Sequence, residues 1–182
     1  MELSEENTSV SADKRRDDTM PYVDLSPESP NRDSSGRKVN IMIFTEGTVL
    51  CHKDLINLLK FATYIPIGGC INKIGSWERQ GAEIIYCTSR RSKVQVAAIA
   101  EVLKRHGFPG SRLYYRGKGE RYKHVIEAVI PDILIEDDCK SIGGIRQMCI
   151  THVRAEIKAG IKSVVVPEFK GIDDLPGLLS DL

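Results

Sequence analysis

Four short apolar runs constrain this chain more than anything else in it: IMIF at 41–44, EIIYC at 83–87, DILI at 132–135 and VVV at 164–166. None alternates polar with apolar residues, as a strand with one wet face would. Such runs predict strands covered on both faces. Between them lie amphipathic stretches that read as helices: HKDLINLLKFA (52–62), CINKIGSWERQG (70–81), SKVQVAAIAEVLKRHG (92–107) and KHVIEAVI (123–130). Gly107 is placed as a helix stop signal. LYYR (113–116) reads as a shorter strand, and residues 146–159 as a helical region before the last strand, SVVV. Strands that alternate with helices predict an α/β fold, a three-layer sandwich around a central parallel sheet of Rossmann-like type.

Bulk properties narrow the class. The 182 residues suit one domain with an appendage. Lys and Arg number 26 against 25 Asp and Glu, a net charge of +1, so no whole-molecule field favours a polyanion and no dedicated nucleic-acid surface is evident. A local basic patch stays open. The five cysteines, 51, 70, 87, 139 and 149, are odd in number and show no CxxC spacing, so neither a disulfide framework nor a zinc site is indicated. They read as small core hydrophobes in a reducing compartment. The start MELSEENTSV lacks the basic and apolar segments of a secretory signal, and no apolar run approaches a membrane span. A cytoplasmic protein with no membrane partner is expected.

Residues 1–37 differ in kind. They are rich in Ser, Asp, Glu, Arg and Pro and carry few large apolar side chains, which predicts a disordered N-terminal tail before a domain at 38–182. The tail is read either as a solvated segment or as a docking or phosphorylation segment around Ser26 and Ser29, each followed by Pro.

In a wrapped parallel sheet, ligands bind beyond the carboxyl ends of the strands. Three of those tips are polar: Thr45-Glu46-Gly47-Thr48, Thr88-Ser89-Arg90-Arg91 and Glu136-Asp137-Asp138. A fourth polar element, Gly117 to Lys123, precedes the helix that feeds the third tip. Hydroxyls, amides, cations and clustered carboxylates are what a phosphate with a divalent metal requires.

The order of these motifs resembles the haloacid dehalogenase (HAD) superfamily, mostly Mg2+-dependent phosphatases. Its first motif is an apolar strand followed by Asp-x-Asp-Gly-Thr. The second is a Thr or Ser at a strand end, the third a Lys, and the fourth an acidic pair after another apolar strand. Here YCTSR and ILIEDD match the second and fourth, and the resemblance spans about Val39 to Asp138. It implies a HAD-like fold and a phosphoric-ester hydrolase as the activity if the chain is active. It also implies Glu46 as acid/base, Gly47, Thr48, Thr88 and Ser89 as phosphate-binding residues, and Lys123 or Lys118 as the phosphate cation. For Mg2+ it implies Asp137 and Asp138, with Glu136 beside them.

One position departs from the pattern. Phe44 falls where the nucleophilic Asp belongs, and phenylalanine can neither attack phosphorus nor coordinate Mg2+. Three readings follow: water attacks with Glu46 as base, Glu46 itself attacks, or the chain binds a phosphorylated ligand as a non-catalytic module. The connections also leave no room for a large cap domain. An open cleft of that kind calls for a phosphorylated small molecule in a shallow site, a macromolecular phosphate, or a second subunit that covers it.

Each assignment has a bland counterpart. Glu46-Gly47-Thr48 would serve as a plain turn and Thr88 as a helix cap, and Arg90 and Arg91 read either as a phosphate clamp or as solvated side chains. Lys118 and Lys123 would be ordinary surface lysines, and the acidic trio a water-screened loop. Ser141 to Gly144 reads as a flexible loop, with backbone amides near the metal site as the alternative. The four histidines show no metal-ligand spacing, Trp77 reads as a packing residue, and Cys87 as an inert thiol inside a strand.

Overall fold

The computed structural model describes residues 20–26, 38–54 and 60–182. Its main sheet has six strands: β1 (Tyr22–Asp24), β2 (Asn40–Phe44), β5 (Glu83–Cys87), β6 (Arg112–Tyr114), β7 (Ile133–Asp137) and β8 (Lys162–Val166). Their spatial order is β1-β6-β5-β2-β7-β8, and all neighbours pair in parallel except β1, which runs antiparallel to β6. A separate two-stranded sheet joins β3 (Leu50–Cys51) to β4 (Ile65–Pro66). The helices are α1 (Cys70–Arg79), α2 (Lys93–Arg105), α3 (Tyr122–Val129) and α4 (Ala155–Lys158). This is the three-layer α/β sandwich, with no cap domain among the described residues.

The non-alternating runs are explained by two separate cores. Ile41 and Ile43 face one side of the sheet, packed with Ile74 and Trp77 of α1 and Val96, Ile99 and Leu103 of α2. Met42 and Phe44 face the other, packed with Val125 and Ile126 of α3 and with Met148 to Ile150. Side chains along a strand point alternately to opposite faces, so a strand buried twice must be apolar throughout. Trp77 is fully buried and donates its indole N–H to the Pro176 carbonyl at 3.0 Å. Helix α2 starts at a Ser92 cap and ends before Gly107, whose φ of +69° suits the left-handed stop.

Several expectations are corrected. Part of the helix expected at 52–62 lies outside the described residues, and Phe61–Thr63 form a 3-10 turn. The tail expected to be disordered through residue 37 contains an edge strand, because Tyr22–Asp24 add to β6 and Tyr22 packs on Tyr114 with ring centroids 5.5 Å apart. The rest of that expectation falls outside the described residues. Strand β8 is an edge, with Val165 45% exposed, so its apolar run is not covered on both faces. The helical region expected at 146–159 is broken into 3-10 turns and the short α4. The amides of Cys149 and Ile150 bond the Glu136 carboxylate at 2.6 and 3.0 Å. They are therefore not bonded to the carbonyls four residues back, which take Thr151 Oγ1 and the His152 ring instead.

No described helix is long and apolar enough to cross a membrane. Gly110, between α2 and β6, holds φ +126°, and a Cβ there would lie 2.8 Å from Tyr86 Cε2 and 2.9 Å from the Ile84 carbonyl oxygen. Gly110→Ala is expected to destabilise the protein by about 2 kcal/mol or more, read from urea or thermal unfolding.

Candidate functional site

Parallel pairing brings the tips of β2, β5 and β7 to one rim. Backbone turns after β2 are tight: the amides of Val49 and Leu50 both bond the Thr45 carbonyl, at 3.0 and 2.8 Å. Gly47 adopts φ +83°, and a Cβ there would lie 2.6 Å from Asp137 Oδ2, so both its conformation and its closeness to β7 need glycine. The turn aims Glu46 towards the tip of β5. Glu46 Oε1 accepts from Thr88 Oγ1 at 2.6 Å and from Arg90 Nε at 3.1 Å. Its Oε2 accepts from the Ser89 amide at 2.9 Å and from Thr45 Oγ1 at 2.8 Å. Both oxygens are thus engaged, and the Glu46 side chain is only 11% exposed. Arg90 lies over the Phe61 ring, 4.6 Å from its centroid, which fixes the guanidinium from behind.

A second centre forms where β7 and β8 end. Asp137 Oδ2 accepts from Thr48 Oγ1 at 3.3 Å and its Oδ1 from the Cys139 amide at 2.9 Å. Asp137, Asp138 and Glu168 each offer an oxygen within 4.8 Å of the others. Glu168 follows β8, and Ser141 grips it through its amide at 2.8 Å and its hydroxyl at 2.7 Å. Burial raises the proton affinity of Asp137, and the nearby Glu168 charge adds to this against the lowering effect of the Cys139 amide. Three hard oxygen donors with mutually repelling charges fit a divalent cation such as Mg2+.

Glu136 lies outside this cluster. It is buried under the sheet with its carboxylate on the Cys149 and Ile150 amides, and its side chain points opposite to Asp137 because neighbours in a strand face opposite ways. Burial pushes its proton affinity up despite those two amides. Its role is to hold the 149–152 turn beneath the sheet.

Phe44 is 8% exposed and meets Tyr122 edge-on, ring centroids 5.7 Å apart. Tyr122 donates its hydroxyl to the Ser89 carbonyl at 2.7 Å, and burial pushes the phenol's pKa up. An aromatic pair therefore fills the place beside the β2 tip, with no polar group on the Phe44 side chain. Lys123 lines a cavity shared with Ser89 and Arg90, whereas Lys118 sits on an exposed turn away from it. The Cys87 thiol is fully buried, and burial pushes its pKa well up.

Two contributors escape a reading by motifs. Glu168 stands two residues past β8, and treating the last strand's end as a rim position like the others would have found it. The Glu46–Arg90 pair joins residues from separate loops, and no local pattern signals it.

No protein-family model and no curated protein matches the sequence. Among solved structures, a chain of the Pnkp1/Rnl/Hen1 complex aligns with a TM-score of 0.52 at 15% identity, over 79% of this chain and 51% of that one. A chain from a structure of the Pnkp1/Rnl/Hen1 RNA repair complex gives 0.52 at 14% identity, over 82% and 47%. The D,D-heptose 1,7-bisphosphate phosphatase from Burkholderia thailandensis gives 0.39 at 12% identity, over 74% and 94%. The chain spans about half the length of the first two chains it matches. At such identities the likeness to those two is one of fold.

The two acidic residues at β7 and β8 separate by substitution. Glu136→Ala leaves two buried amides unpaired and is expected to cost about 1–3 kcal/mol in urea unfolding, partly offset by removal of a buried charge. Glu168→Ala, at a half-exposed site, is expected to stay within about 1 kcal/mol.

Proposed function

We propose that this chain is a HAD-superfamily protein that binds a phosphorylated ligand at the rim of β2, β5 and β7 and forms no covalent phosphoryl intermediate. One observation carries the reading. The Glu46 carboxylate rests on the Thr88 hydroxyl and the Ser89 amide, two groups that the resemblance assigns to phosphate, and on Arg90 Nε, so these donors already cradle an oxyanion. Carboxylate and phosphate oxygens accept from the same donors, and an arginine suits both. An entering phosphate takes those donors as Glu46 swings aside, and Lys123 at the neighbouring cavity wall adds charge.

Asp137, Asp138 and Glu168 would hold Mg2+, which when bound offsets the charge of the phosphate. Phe44 supplies no attacking atom, and its ring is packed against Tyr122. Glu46 can serve as a base for water only after releasing at least one of its four donors. These two facts favour binding over turnover.

The test pairs orthophosphate calorimetry with a generic phosphate-ester assay in Mg2+, for wild type, Thr88→Val, Glu46→Gln and Phe44→Asp. Wild type is expected to bind without turnover, and Thr88→Val to weaken binding about tenfold, the worth of one charge-assisted contact. Activity confined to Phe44→Asp would mean that the cradle is intact and only the nucleophile was missing. That variant is expected to lose about 2–4 kcal/mol of stability from its buried carboxylate. Wild-type turnover that vanishes in Glu46→Gln would establish a water route instead. Absence of phosphate binding by wild type sinks the proposal.

A further inference from the structure

Beside the rim, under the loop that follows β7, lies a cavity of about 740 Å3. Its walls carry Arg90, Arg91, Arg116, Arg121, Lys123 and Arg146, and His152 joins them. No carboxylate lines it among the described residues. The cations come from three places: the loop after β5, the loop between β6 and α3 with the start of α3, and the 3-10 turns after β7. A chain of net charge +1 has therefore gathered six basic side chains around one hollow.

Among the described residues most of this charge is unmatched. Arg90 pairs with Glu46, but among the described residues no carboxylate pairs with Arg91, Arg116, Arg121, Lys123 or Arg146. Arg116 is also held in place: its guanidinium lies 4.3 Å from the centroid of the Tyr122 ring. The cavity thus has surplus positive charge and, in Arg116, a guanidinium held in place by the Tyr122 ring.

From this geometry we infer that the cavity takes a compact ligand bearing two or more phosphate groups. One phosphate group carries a charge of about −2, too little for five cations that no carboxylate among the described residues pairs. The inference deepens the phosphate-binding reading of the rim and rests on it for one group, at Thr88 and Ser89. Ser89, Arg90 and Lys123 stand at the junction, and Arg91, Arg116, Arg121 and Arg146 receive the remaining groups. The volume lies within the range of small-ligand sites, roughly 300–1,000 Å3. A strand of nucleic acid would instead require a basic path running past the site in both directions. Here the cations converge on one hollow.

The test is calorimetry on the full chain with orthophosphate, tripolyphosphate and a single-stranded 12-nucleotide oligonucleotide. Wild type is expected to bind tripolyphosphate at least about tenfold more tightly than orthophosphate. The double variant Arg91→Ala/Arg146→Ala changes two exposed lining residues from separate segments, so its melting temperature should stay near that of wild type. It should lose the tripolyphosphate advantage and keep its orthophosphate affinity. Thr88→Val separates the two readings: if it leaves both phosphates unaffected while the double variant still weakens tripolyphosphate, the rim reading fails and the cavity stands. Equal tripolyphosphate affinity in wild type and the double variant overturns the inference. So does tighter binding of the oligonucleotide than of tripolyphosphate, lost in that same variant, which would assign the hollow to nucleic acid.

Discussion

Parallel pairing of β2 with β5 on one side and with β7 on the other sets three loops side by side, and the chemistry of the rim follows from it. Ile41, Met42 and Ile43 are in register with Ile84, Ile85 and Tyr86, and also with Ile133, Leu134 and Ile135. Because the registers match, residues 42 positions apart, Glu46 and Thr88, emerge within hydrogen-bond reach. Residues 89 apart, Thr48 and Asp137, meet in the same way. Glycine at 47 lets the first loop turn without colliding with Asp137. Two apolar cores, one on each face, hold the strands in this register.

On that frame the site divides into a donor cradle, an acidic cluster and a basic hollow. Glu46 occupies the cradle, Asp137, Asp138 and Glu168 make the cluster, and Arg90 and Lys123 open onto the hollow. Opposite charges are thus segregated to the two flanks of a single rim. The ring of Phe44 changes what the rim can do. It is an extension of the core that holds Met42, Val125 and Ile126, packed with Tyr122, rather than a polar group at the mouth. Packing leaves no attacking atom at this position, and polar donors surround it.

The layers of the fold were legible because burial on both faces leaves a direct trace in composition: IMIF, EIIYC and DILI lie in three neighbouring strands at the centre of the sheet. Helix α2 was legible for a local reason, its Ser92 cap and Gly107 stop. The edges were not. VVV reads like a central strand but is half wet, since nothing in its own residues records whether a neighbour lies beyond it. Tyr22–Asp24 became a strand only through pairing with β6. The turns at 144–152 broke from a helical reading because Glu136, far off in sequence, captured two of their amides.

The polar tips themselves could be named from the sequence, since a strand-end position and a residue type are local properties. Which of them face one another could not. Glu136 and Asp137 are adjacent in the chain and look equivalent there, yet the pleat sends one beneath the sheet and the other to the rim. Glu168 and the arginines of the hollow come from segments with no shared motif and meet only when the strands are laid side by side. Periodicity and composition determine the elements, because burial acts on each residue where it stands. Convergence of charge is decided in three dimensions, because electrostatic contact depends on distance through space rather than along the chain.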